Sequence, residues 1–490
     1  MFQYYNTLGF MNPFYMKNED GLTITHDFKE ILSKLGQPKV DPVSIIEMIN
    51  YQYFFADRTI VKGINKTPFM AKPSEDMKNW EYAEVPNHGH IQSMTEKEVA
   101  GEFFKKLSTE IKEFCGDAKT VGILLSGGMD SRMVAGVLDK LIKNKELSCK
   151  VVGLTWGLKE SRDVVYSERI VKSLNWEWIH FEMGPETLLR NMKVSAERGC
   201  EYGPNHLHAM PDVAKLEGID CILAGSFGDS IGRGEYSGIH FTNLKPLGSN
   251  ISNKFRILQS LVFEQYSPEV QTDVTAYNRL FPRSEDYQTN ELQRQSHYMR
   301  RMLNPCMNVI NQSIPLYQAF TTPGTFGFMW SLDGSLRNDK VYFHFLDLLD
   351  PSLKELPWAR TGKLFMVEDS PVLDDLPKSY HKYGEWIRND LYSEIKDRVL
   401  STQIEKLNIF NMDALKSVLE YNKNYAQGAK HNRIDELTLW LATLSLFLES
   451  NPAVSSDIQE STTIMDIVNG KLAAKANVFA YNKAAQLLKK

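Results

Sequence analysis

The chain has 490 residues, a formal net charge of −5 at pH 7 and a hydrophobic fraction of 42%. The length predicts about three domains of average size, and the hydrophobic fraction is sufficient for sizeable cores. The slight acidic excess gives no electrostatic reason to expect nucleic acid or an anionic membrane as a partner.

Five cysteines are spread widely along the chain, and no two of them form a CxxC pair. They are Cys115, Cys149, Cys200, Cys221 and Cys306. This spacing predicts neither a zinc cage nor a disulfide framework, and it suits a reducing cytoplasm. The first residues, Met1 to Tyr5, lack a basic segment followed by an apolar core, so we expect no signal peptide.

The first 90 residues predict a β-rich region with turns. Residues 21–25 alternate like a strand, and Asp41, followed by proline, opens a helical pattern. Residues 72–90 are polar and contain prolines and a glycine, which is typical of a linker. Thr95 and Glu98 then form the capping-box pattern of a helix start.

From residue 120 to about residue 230, short apolar runs alternate with helical patterns. This alternation predicts a parallel sheet with crossover helices. The runs are Val121–Leu125, Val151–Trp156, Trp178–Phe181 and Cys221–Ala224. Ligands of such sheets bind at the carboxyl ends of the strands, so we expect the loops that follow Leu125, Trp156 and Ala224 to share one cleft.

The first run leads into residues 126–131, with the sequence Ser-Gly-Gly-Met-Asp-Ser, and then into a helical pattern. The glycines let backbone amides turn inward, and the helix start supplies free N–H groups, so this segment predicts an anion site. Asp130 beside a phosphate requires Mg²⁺ between the two negative groups. The P-loop differs, because it has wider glycine spacing and a lysine before its serine or threonine.

A second glycine-rich stretch, residues 225–235, follows the last apolar run and contains Asp229. Taken alone, it would be a surface turn with a solvated carboxylate. Its position after a strand favours a second carboxylate close to Asp130. The two carboxylates would then complete a Mg²⁺ site together with phosphate oxygens.

Beyond residue 250 the sequence is mostly helical in pattern. Helical spacing is found over Phe255–Tyr266, Trp386–Leu400 and Leu437–Leu448. The last of these stretches is too short to span a bilayer and predicts a buried helix. A basic loop with Arg360 and Lys363 lies between them, and a further helix is expected from Ala473.

Some polar residues outside these motifs have two interpretations. His206 and His208 would share a strand face, but no third ligand is near, which favours ordinary polar or substrate-facing roles over a metal pair. Asp163, at a predicted helix start, either supports that helix by its charge or contacts substrate. Arg132 either reaches a phosphate or pairs with an acid at the sheet edge.

The Ser-Gly-Gly-x-Asp-Ser segment resembles the pyrophosphate loop of the N-type ATP pyrophosphatases, which cleave ATP between the α and β phosphates and form an adenylate. With the second loop and the basic loop, it resembles the synthetase half of the asparagine synthetase family, over residues 20–450. That family includes asparagine synthetase, β-lactam and carbapenam synthetases and lasso-peptide cyclases. Residues 54–64 are similar to the segment that closes its N-terminal glutaminase domain, and residues 407–411 with Trp440 to its helical end.

The resemblance implies an α/β fold. It consists of a parallel-sheet, Rossmann-like ATP-pyrophosphatase domain with a large helical C-terminal part and a small β-rich N-terminal remnant. Residues 1–92 would be the truncated glutaminase-like region, and residues 93–450 the ATP-binding domain. Within that domain the α/β core would cover 118–245 and the helical part 250–450, followed by a tail at 451–490.

The resemblance also implies roles by position, with ATP and Mg²⁺ as cofactors. ATP contacts fall on Leu125, Ser126, Gly127, Gly128, Asp130, Ser131, Trp156, Ala224 and Gly225. Adenine would lie near Trp156, and Asp130 and Asp229 would be the Mg²⁺ carboxylates. Lys363, just after Arg360, matches the cationic catalytic loop, and the alternative for Lys363 is an ordinary solvated lysine. A lysine aimed at developing negative charge is useful only in the transition state.

Two departures from the family pattern bear on function. Glutamine-hydrolysing members begin with Met and a nucleophilic Cys, whereas residue 2 here is Phe and the N-terminal part is too short for a complete glutaminase site. Asparagine synthetases carry a Glu, the expected base, where this chain has Ser226, whose hydroxyl is a poor base at neutral pH. The β-lactam-forming members use Tyr there and a downstream Glu, whose position falls near Asn311 and Gln312.

We therefore expect an AMP-forming carbon–nitrogen ligase that activates a small-molecule carboxylate as an acyl-adenylate and transfers it to ammonia or an amine. Ammonia would come free or from a separate glutaminase chain. We expect a cytoplasmic location, with neither nucleic acid nor a membrane as partner. The alternatives are a non-catalytic ATP-binding regulator, an adenylating cyclase or amide synthetase for a specialised metabolite or peptide, and a tRNA-modifying relative.

Overall fold

The computed structural model describes residues 12–234, 246–426, 431–459 and 463–487. The start of the chain, including Phe2 and the segment without signal-peptide character, lies outside these ranges, as does Glu235 at the end of the second glycine stretch. No helix in the described part of the chain has both the length and the hydropathy needed to cross a bilayer.

The N-terminal region is rich in short strands. Its elements are β1 (Phe14–Asn18), β2 (Gly21–Thr25), α1 (Phe28–Leu32), α2 (Pro42–Tyr51), β3 (Asn65–Lys66), β4 (Ala71–Pro73) and β5 (Trp80–Tyr82). β2, β1 and β3 form an antiparallel sheet in that order, and β4 pairs with β5. The Asp41 carboxylate caps α2, so the predicted helix start is confirmed. Residues 72–90 are more than a linker, because they contain β5 and the buried Val85.

The α/β core follows, and its strands coincide with the predicted apolar runs. Its elements are α3 (Glu96–Cys115), β6 (Thr120–Leu124), α4 (Met129–Lys143), β7 (Lys150–Trp156), α5 (Arg162–Ser173), β8 (Glu177–Phe181), α6 (Pro185–Glu197), α7 (Met210–Val213), β9 (Cys221–Ala224) and α8 (Gly228–Gly232). Thr95 and Glu98 form the expected capping box at the start of α3.

The central sheet has one strand that the sequence did not reveal. β10 (Leu316–Gln318) pairs parallel with β9, which gives five parallel strands in the order β10-β9-β6-β7-β8. Three residues are too few to show a strand period, and β10 lies among helices in the chain. The predicted α/β class with a parallel sheet and flanking helices is confirmed.

The rest of the chain is mainly helical. Its helices are α9 (Ser260–Leu280), α10 (Asp286–Gln293), α11 (Asn304–Asn311), α12 (Pro323–Ser331), α13 (Asp339–Leu346), α14 (Pro351–Glu355), α15 (Tyr383–Glu385), α16 (Tyr392–Val399), α17 (Thr402–Glu405), α18 (Met412–Tyr425), α19 (Arg433–Ser450) and α20 (Ile464–Leu487). Short 3₁₀ helices cover Pro204–Leu207 and Gly334–Leu336, and π-helical turns cover Arg294–Leu303 and Trp386–Asp390.

Two predicted helix starts are displaced. α9 begins at Ser260 and not at Phe255, because Leu258 pairs with Phe410 in an isolated bridge that holds this segment extended. α20 begins at Ile464, ahead of the predicted Ala473. α19 is buried along most of its length, as its apolar sequence predicts.

Within the described ranges, three hydrophobic cores pack these parts together. Neighbouring residues of β9, Ile222 and Leu223, belong to different cores, so the central sheet is covered on both faces. The third core joins the N-terminal region to the C-terminal helices, and the rings of Phe28 and Phe447 meet there at 5.9 Å. The N-terminal region is thus packed directly against the end of the chain.

Candidate active site

The glycine loop, residues 126–131, connects β6 to the first turn of α4. Ser131 Oγ donates to the Ser126 carbonyl at 3.0 Å and accepts from the Ser126 amide at 3.2 Å, which closes the loop on itself. Gly128 is the N-cap of α4 and makes no side-chain cap. The Gly128 amide donates to Ser126 Oγ at 3.2 Å, but no capping side chain competes with an anionic ligand for the N–H groups that follow in this helix.

Close packing fixes Gly127 against the basic loop. A Cβ at this position would lie 2.7 Å from the Cβ of Ala359, a separation too short for two carbon atoms. The Gly127 carbonyl accepts from the Ala359 amide at 3.1 Å, and the Gly127 amide donates to Asp163 Oδ1 at 3.2 Å. Asp163 thus supports the glycine loop from the start of α5, and burial raises the pKa of its carboxyl group.

Three other predicted ATP positions, Leu125, Ala224 and Gly225, lie next to this loop. Leu125 and Ala224 are buried at the ends of their strands. Gly225 lies against the backbone of Asp130, where a Cβ would be 3.2 Å from the carbonyl oxygen. The loops after β6 and β9 therefore touch one another, as expected for neighbouring strands of a parallel sheet.

This contact brings Asp130 and Asp229 together. Both line one cavity, and a Cβ on Gly228 would overlap the Asp130 carboxylate. Burial raises the pKa of Asp130 well above its usual range, and the nearby Asp229 carboxylate raises it further. Two carboxylates that repel each other in a partly buried site need a positive counter-charge, which a divalent cation supplies.

Arg233 stands beside this pair. It forms an ion pair with Asp229, one helical turn earlier, and donates to Asp339 Oδ1 at 2.9 Å. Its guanidinium lies 5.2 Å from the centre of the Tyr342 ring. The Tyr342 hydroxyl donates to Asp130 Oδ1 at 2.9 Å. Neither Arg233 nor Tyr342 was predicted from the sequence as a site residue. Arg233 could have been, because a residue four positions after Asp229 on a helix lies beside it. No local sequence feature connects Tyr342 with Asp130.

The donors at this point fit a divalent metal that is bound together with a nucleotide. Asp130 and Asp229 offer hard carboxylate oxygens, which Mg²⁺ prefers, and Mg²⁺ commonly takes one or two carboxylates plus substrate phosphates. In the described ranges, no group of three or more His, Cys, Asp and Glu side chains stands in a metal-binding arrangement. A metal here would therefore depend on the nucleotide and water for most of its ligands.

The cavity that holds these groups, the first cavity, has a volume of about 700 Å³ and two different ends. Its charged end is lined by Gly128, Asp130, Asp229, Arg233 and Arg360. Its aromatic end is lined by residues 378–385 and His431, from the helical part of the chain. Small-molecule sites commonly measure ~300–1,000 Å³, so the cavity has the size of a nucleotide-scale pocket.

Stacked rings form the aromatic end. His381 lies on the Tyr383 ring, with centroids 3.9 Å apart and planes 12° from parallel, and His431 lies edge-on to both at 5.8 Å. Burial lowers the pKa of His381 to about 4 and the pKa of His431 to about 3, so both imidazoles are neutral at pH 7. His431 Nε2 is buried, 3.3 Å from Glu436 Oε1 but without hydrogen-bond geometry. The stacked rings offer a flat, neutral surface, and Lys378, Lys382 and Glu385 also line this end of the cavity.

Trp156 ends β7 but is not among the described residues that line the first cavity. The His208 ring is stacked on it at 5.8 Å, and His208 Nδ1 lies 2.7 Å from the Tyr383 hydroxyl. Tyr380 packs so closely on Gly157 that a Cβ there would lie 2.9 Å from the Tyr380 carbonyl oxygen. The aromatic end therefore covers the strand end where the resemblance implies adenine, and its own rings face the cavity in place of Trp156.

The two predicted catalytic cations of the basic loop are placed differently. Arg360 lines the first cavity, and its guanidinium lies 3.9 Å from the Asp229 carboxylate. Lys363 is exposed and is absent from the described residues that line this cavity. Its carbonyl accepts from the Trp358 amide at 2.8 Å, which shapes the loop. The geometry favours Arg360 over Lys363 as the cation that meets a ligand.

Arg132 has neither of its expected roles. It is fully buried and donates to the carbonyl oxygens of Leu353, Leu356 and Pro357, at 2.8–2.9 Å. A guanidinium has five N–H donors, so one side chain can hold several carbonyls of a turn. Arg132 thus fastens α4 to the segment that leads into the basic loop.

His206 and His208 are not on a strand. His206 lies in the 3₁₀ helix over Pro204–Leu207, and His208 follows it. Burial lowers the pKa of His206 to about 4 and the pKa of His208 well below its usual value. Their ordinary structural role beneath the aromatic end agrees with the favoured interpretation of the sequence.

The positions that depart from the family pattern supply no substitute base in the described structure. Ser226 is half-buried in the turn after β9. Asn311 Oδ1 accepts from the Leu316 amide at 2.8 Å, and Gln312 Oε1 accepts from Arg198 at 2.7 Å. Asn311 therefore holds the entry to β10, and Gln312 pairs with Arg198.

Comparison with known proteins finds a family model that is similar to part of the chain. Residues 106–311 match the family model described as asparagine synthase. No curated protein is similar enough in sequence to match the chain. Among solved structures, the NMN synthetase from Francisella tularensis is 16% identical, with a TM-score of 0.21, over 45% of this chain and 96% of that chain. Overlap at that level supports no statement about this protein. The matched segment contains the glycine loop and both cavity aspartates, and residues 106–311 are similar to the asparagine synthase family.

Proposed function

We propose that this chain is an ATP-dependent ligase that joins a carboxylate to ammonia or an amine through an acyl-adenylate. In the first step a carboxylate oxygen attacks the α-phosphorus, the bond to the bridging oxygen breaks, and pyrophosphate leaves. In the second step the amine nitrogen attacks the acyl carbon, AMP leaves, and the nitrogen gives up a proton. Adenylation supports amide formation because it gives the carboxylate a good leaving group.

The observation that supports this function most is the meeting of Asp130 and Asp229 beside the glycine loop. A backbone loop at a helix start and two carboxylates in one cavity are the parts that a metal–triphosphate complex requires. Asp130 and Asp229 would hold Mg²⁺, which would supply charge neutralisation and Lewis-acid polarisation of a phosphoryl group. Arg233 and Arg360 line the same cavity and would supply further positive charge for the leaving pyrophosphate.

The nucleobase is proposed to occupy the aromatic end. The ring pair of His381 and Tyr383 lies in the same cavity as the glycine loop, and a flat neutral surface suits a purine ring. His431 adds a buried ring nitrogen without a hydrogen-bond partner at this end. In this proposal the base lies over the end of β7 and the phosphates lie over the end of β6.

A second candidate function is an ATP-binding regulator that does not turn over. Ser226 favours it, because this position has no carboxylate to accept a proton from an attacking amine. The two candidates differ in whether AMP is formed. For the ligase, ammonia would come from solution or from a separate glutaminase chain.

The decisive experiment measures ATP–pyrophosphate exchange with a panel of carboxylates, together with direct MgATP binding. The ligase requires carboxylate-dependent exchange, and Asp130→Asn should lower its rate at least 100-fold, because one metal-facing carboxylate is lost. Asp20→Asn, in an exposed turn, is the control and should retain the wild-type rate. Tight MgATP binding without exchange or AMP would support the regulator instead.

A further inference from the structure

A cavity separate from the first one lies where the N-terminal region meets the last helices of the chain. This cationic cavity has a volume of about 450 Å³ and is lined by Lys254, Arg294 and Arg433, among other residues. Its walls come from the end of α2, residues 246–257, the π-helical turn that begins at Arg294, the start of α19, and α20. It shares no described lining residue with the first cavity. Small-molecule sites commonly measure ~300–1,000 Å³, so a ligand with one or two rings fits.

The positive charge of the cationic cavity is only partly balanced within the described part of the protein. None of its described lining residues is Asp or Glu. Arg433 is half-buried, and burial lowers the pKa of its guanidinium. Its Nη2 donates to the Ile49 carbonyl at 3.5 Å, a weak hydrogen bond. The acid that acts on Arg433 is Glu436, whose pKa burial raises to about 7. That carboxyl carries about half a charge at pH 7, so an anionic ligand would stabilise the arginine further.

Aromatic rings stand beside the cations. Tyr51, Phe255 and Tyr481 also line the cationic cavity. Lys254 is exposed and forms no ion pair within the described ranges, and its Nζ lies 4.9 Å from the centre of the Tyr481 ring and 5.7 Å from that of Phe255. A ligand with a flat apolar body would contact these rings while its charged group meets the cations.

We infer that the cationic cavity binds a small phosphate monoester with an aromatic body, with the phosphate at Arg433 and Lys254 and the ring at Tyr481. A phosphate monoester carries about two negative charges at pH 7, which suits a site with three cations better than a single carboxylate does. The planar, forked guanidinium of Arg433 can bond two phosphate oxygens at once. This site goes beyond the proposed ligase reaction, because it is separate from the glycine loop and the two cavity aspartates.

The test titrates the full chain calorimetrically with phenyl phosphate while saturating MgATP is present to occupy the first cavity. Inorganic phosphate supplies the charge without the ring, and benzoate supplies the ring with a single charge. The wild type should bind phenyl phosphate at least 10-fold more tightly than either of these probes, because neither probe engages both the cations and the rings.

Three variants examine the two halves of the site. Arg433→Gln should weaken phenyl phosphate binding at least 10-fold, because it removes the half-buried cation. Tyr481→Leu should weaken phenyl phosphate about 5-fold and leave inorganic phosphate unchanged. Lys254→Gln, at an exposed side chain that the fold does not require, should weaken phenyl phosphate about 3-fold and tests the site even if Arg433→Gln fails to fold. Arg279→Gln, at an exposed arginine of α9 outside the cavity, is the matched control and should change no affinity.

Absence of phenyl phosphate binding by the wild type would overturn the assignment, and so would loss of that binding when MgATP is added, which would place the ligand in the first cavity. Equal affinity for phenyl phosphate and either comparison probe would reject the ligand class. An affinity that Lys254→Gln leaves unchanged, or that Arg279→Gln lowers equally, would reject the site. None of these outcomes changes ATP–pyrophosphate exchange, so the ligase proposal stands or fails separately. Weakening by Lys254→Gln and Tyr481→Leu, with the control unchanged, would support the assignment.

Discussion

The charged end and the aromatic end of the first cavity are built in different ways. The charged end comes mainly from two loops that directly follow β6 and β9, and its groups are carboxylates and arginines. The aromatic end comes from residues 378–385 and His431, far along the chain, and its imidazoles are neutral. In the proposed ligase, binding of phosphate charge would be a local property of two strand ends, whereas recognition of the base would depend on how the helical part folds over the sheet.

The ends also differ in their state before a ligand arrives. At the charged end, burial raises the pKa of Asp130, and the nearby Asp229 carboxylate raises it further. At the aromatic end, His381 and Tyr383 are already stacked and uncharged. The charged end therefore gains most from a bound cation, and the aromatic end is preorganised for a flat ring. Four predictions, in order of decreasing effect, test this contrast.

The largest effect is expected at the charged end. Arg360 lines the first cavity, whereas Lys363 lies on the exposed surface of the same loop. Arg360→Gln should lower the exchange rate about 100-fold, because it removes a cation that faces developing negative charge. Lys363→Gln should lower it less than about 3-fold, since Lys363 lies outside the described cavity lining. Exchange assays on both variants, with MgATP affinity measured alongside, decide between the two; the reverse order would restore the role that the sequence assigned to Lys363.

At the aromatic end, His381→Ala should weaken ATP binding about 10-fold, because one stacked ring contributes about 1–3 kcal/mol to binding a base. Binding of inorganic tripolyphosphate, which has no base, should not change. Calorimetric titration of both ligands gives the two affinities. His381→Phe keeps a flat ring and serves as the control, with ATP affinity expected within about 3-fold of the wild type. An equal loss for ATP and tripolyphosphate would show that the aromatic end does not hold the base.

The neutral histidines also predict how stability depends on pH. The pKa of His206 is lowered from 6.5 to about 4, so the unfolded chain binds this proton first as the pH falls. The stability that the neutral form contributes is complete above pH 6.5 and is lost as the pH falls toward 4. Asp435 and Glu436, whose pKa values burial raises to about 6 and about 7, act in the opposite direction.

His206→Gln isolates one histidine from these opposing groups. Its free energy of unfolding should rise less steeply with pH than that of the wild type, by up to about 1.4 kcal/mol per pH unit. Urea unfolding at several values between pH 4 and 6.5 gives the two slopes. Parallel curves for the variant and the wild type would mean that His206 titrates normally in the folded chain.

The smallest effect is expected far from both ends. Thr95→Ala removes the capping box of α3 and should lower the free energy of unfolding by about 1 kcal/mol. Neither ATP nor tripolyphosphate affinity should change. Denaturant unfolding and the same titrations make this variant a destabilised reference. If it weakened ATP binding as much as His381→Ala does, loss of stability would explain both results.

The sequence anticipated much of the α/β core. Strands β6, β7, β8 and β9 follow from apolar runs between helical patterns, and the helix starts at Asp41 and Thr95 follow from capping residues. These features depend on neighbours within a few residues, so the local sequence contains the necessary information. The start of α9 escaped prediction because Leu258 pairs with Phe410 and not with its neighbours.

In the candidate site, too, some features follow from local sequence and others from the packing of distant segments. The glycine loop and its position after β6 were determined by the sequence alone, because loop geometry and helix start are local. The meeting of Asp130 with Asp229, the exposure of Lys363 and the covering of Trp156 by His208 were decided by the tertiary structure. Each of these depends on which distant segments pack over the sheet, and that packing is set by burial of many apolar side chains at once.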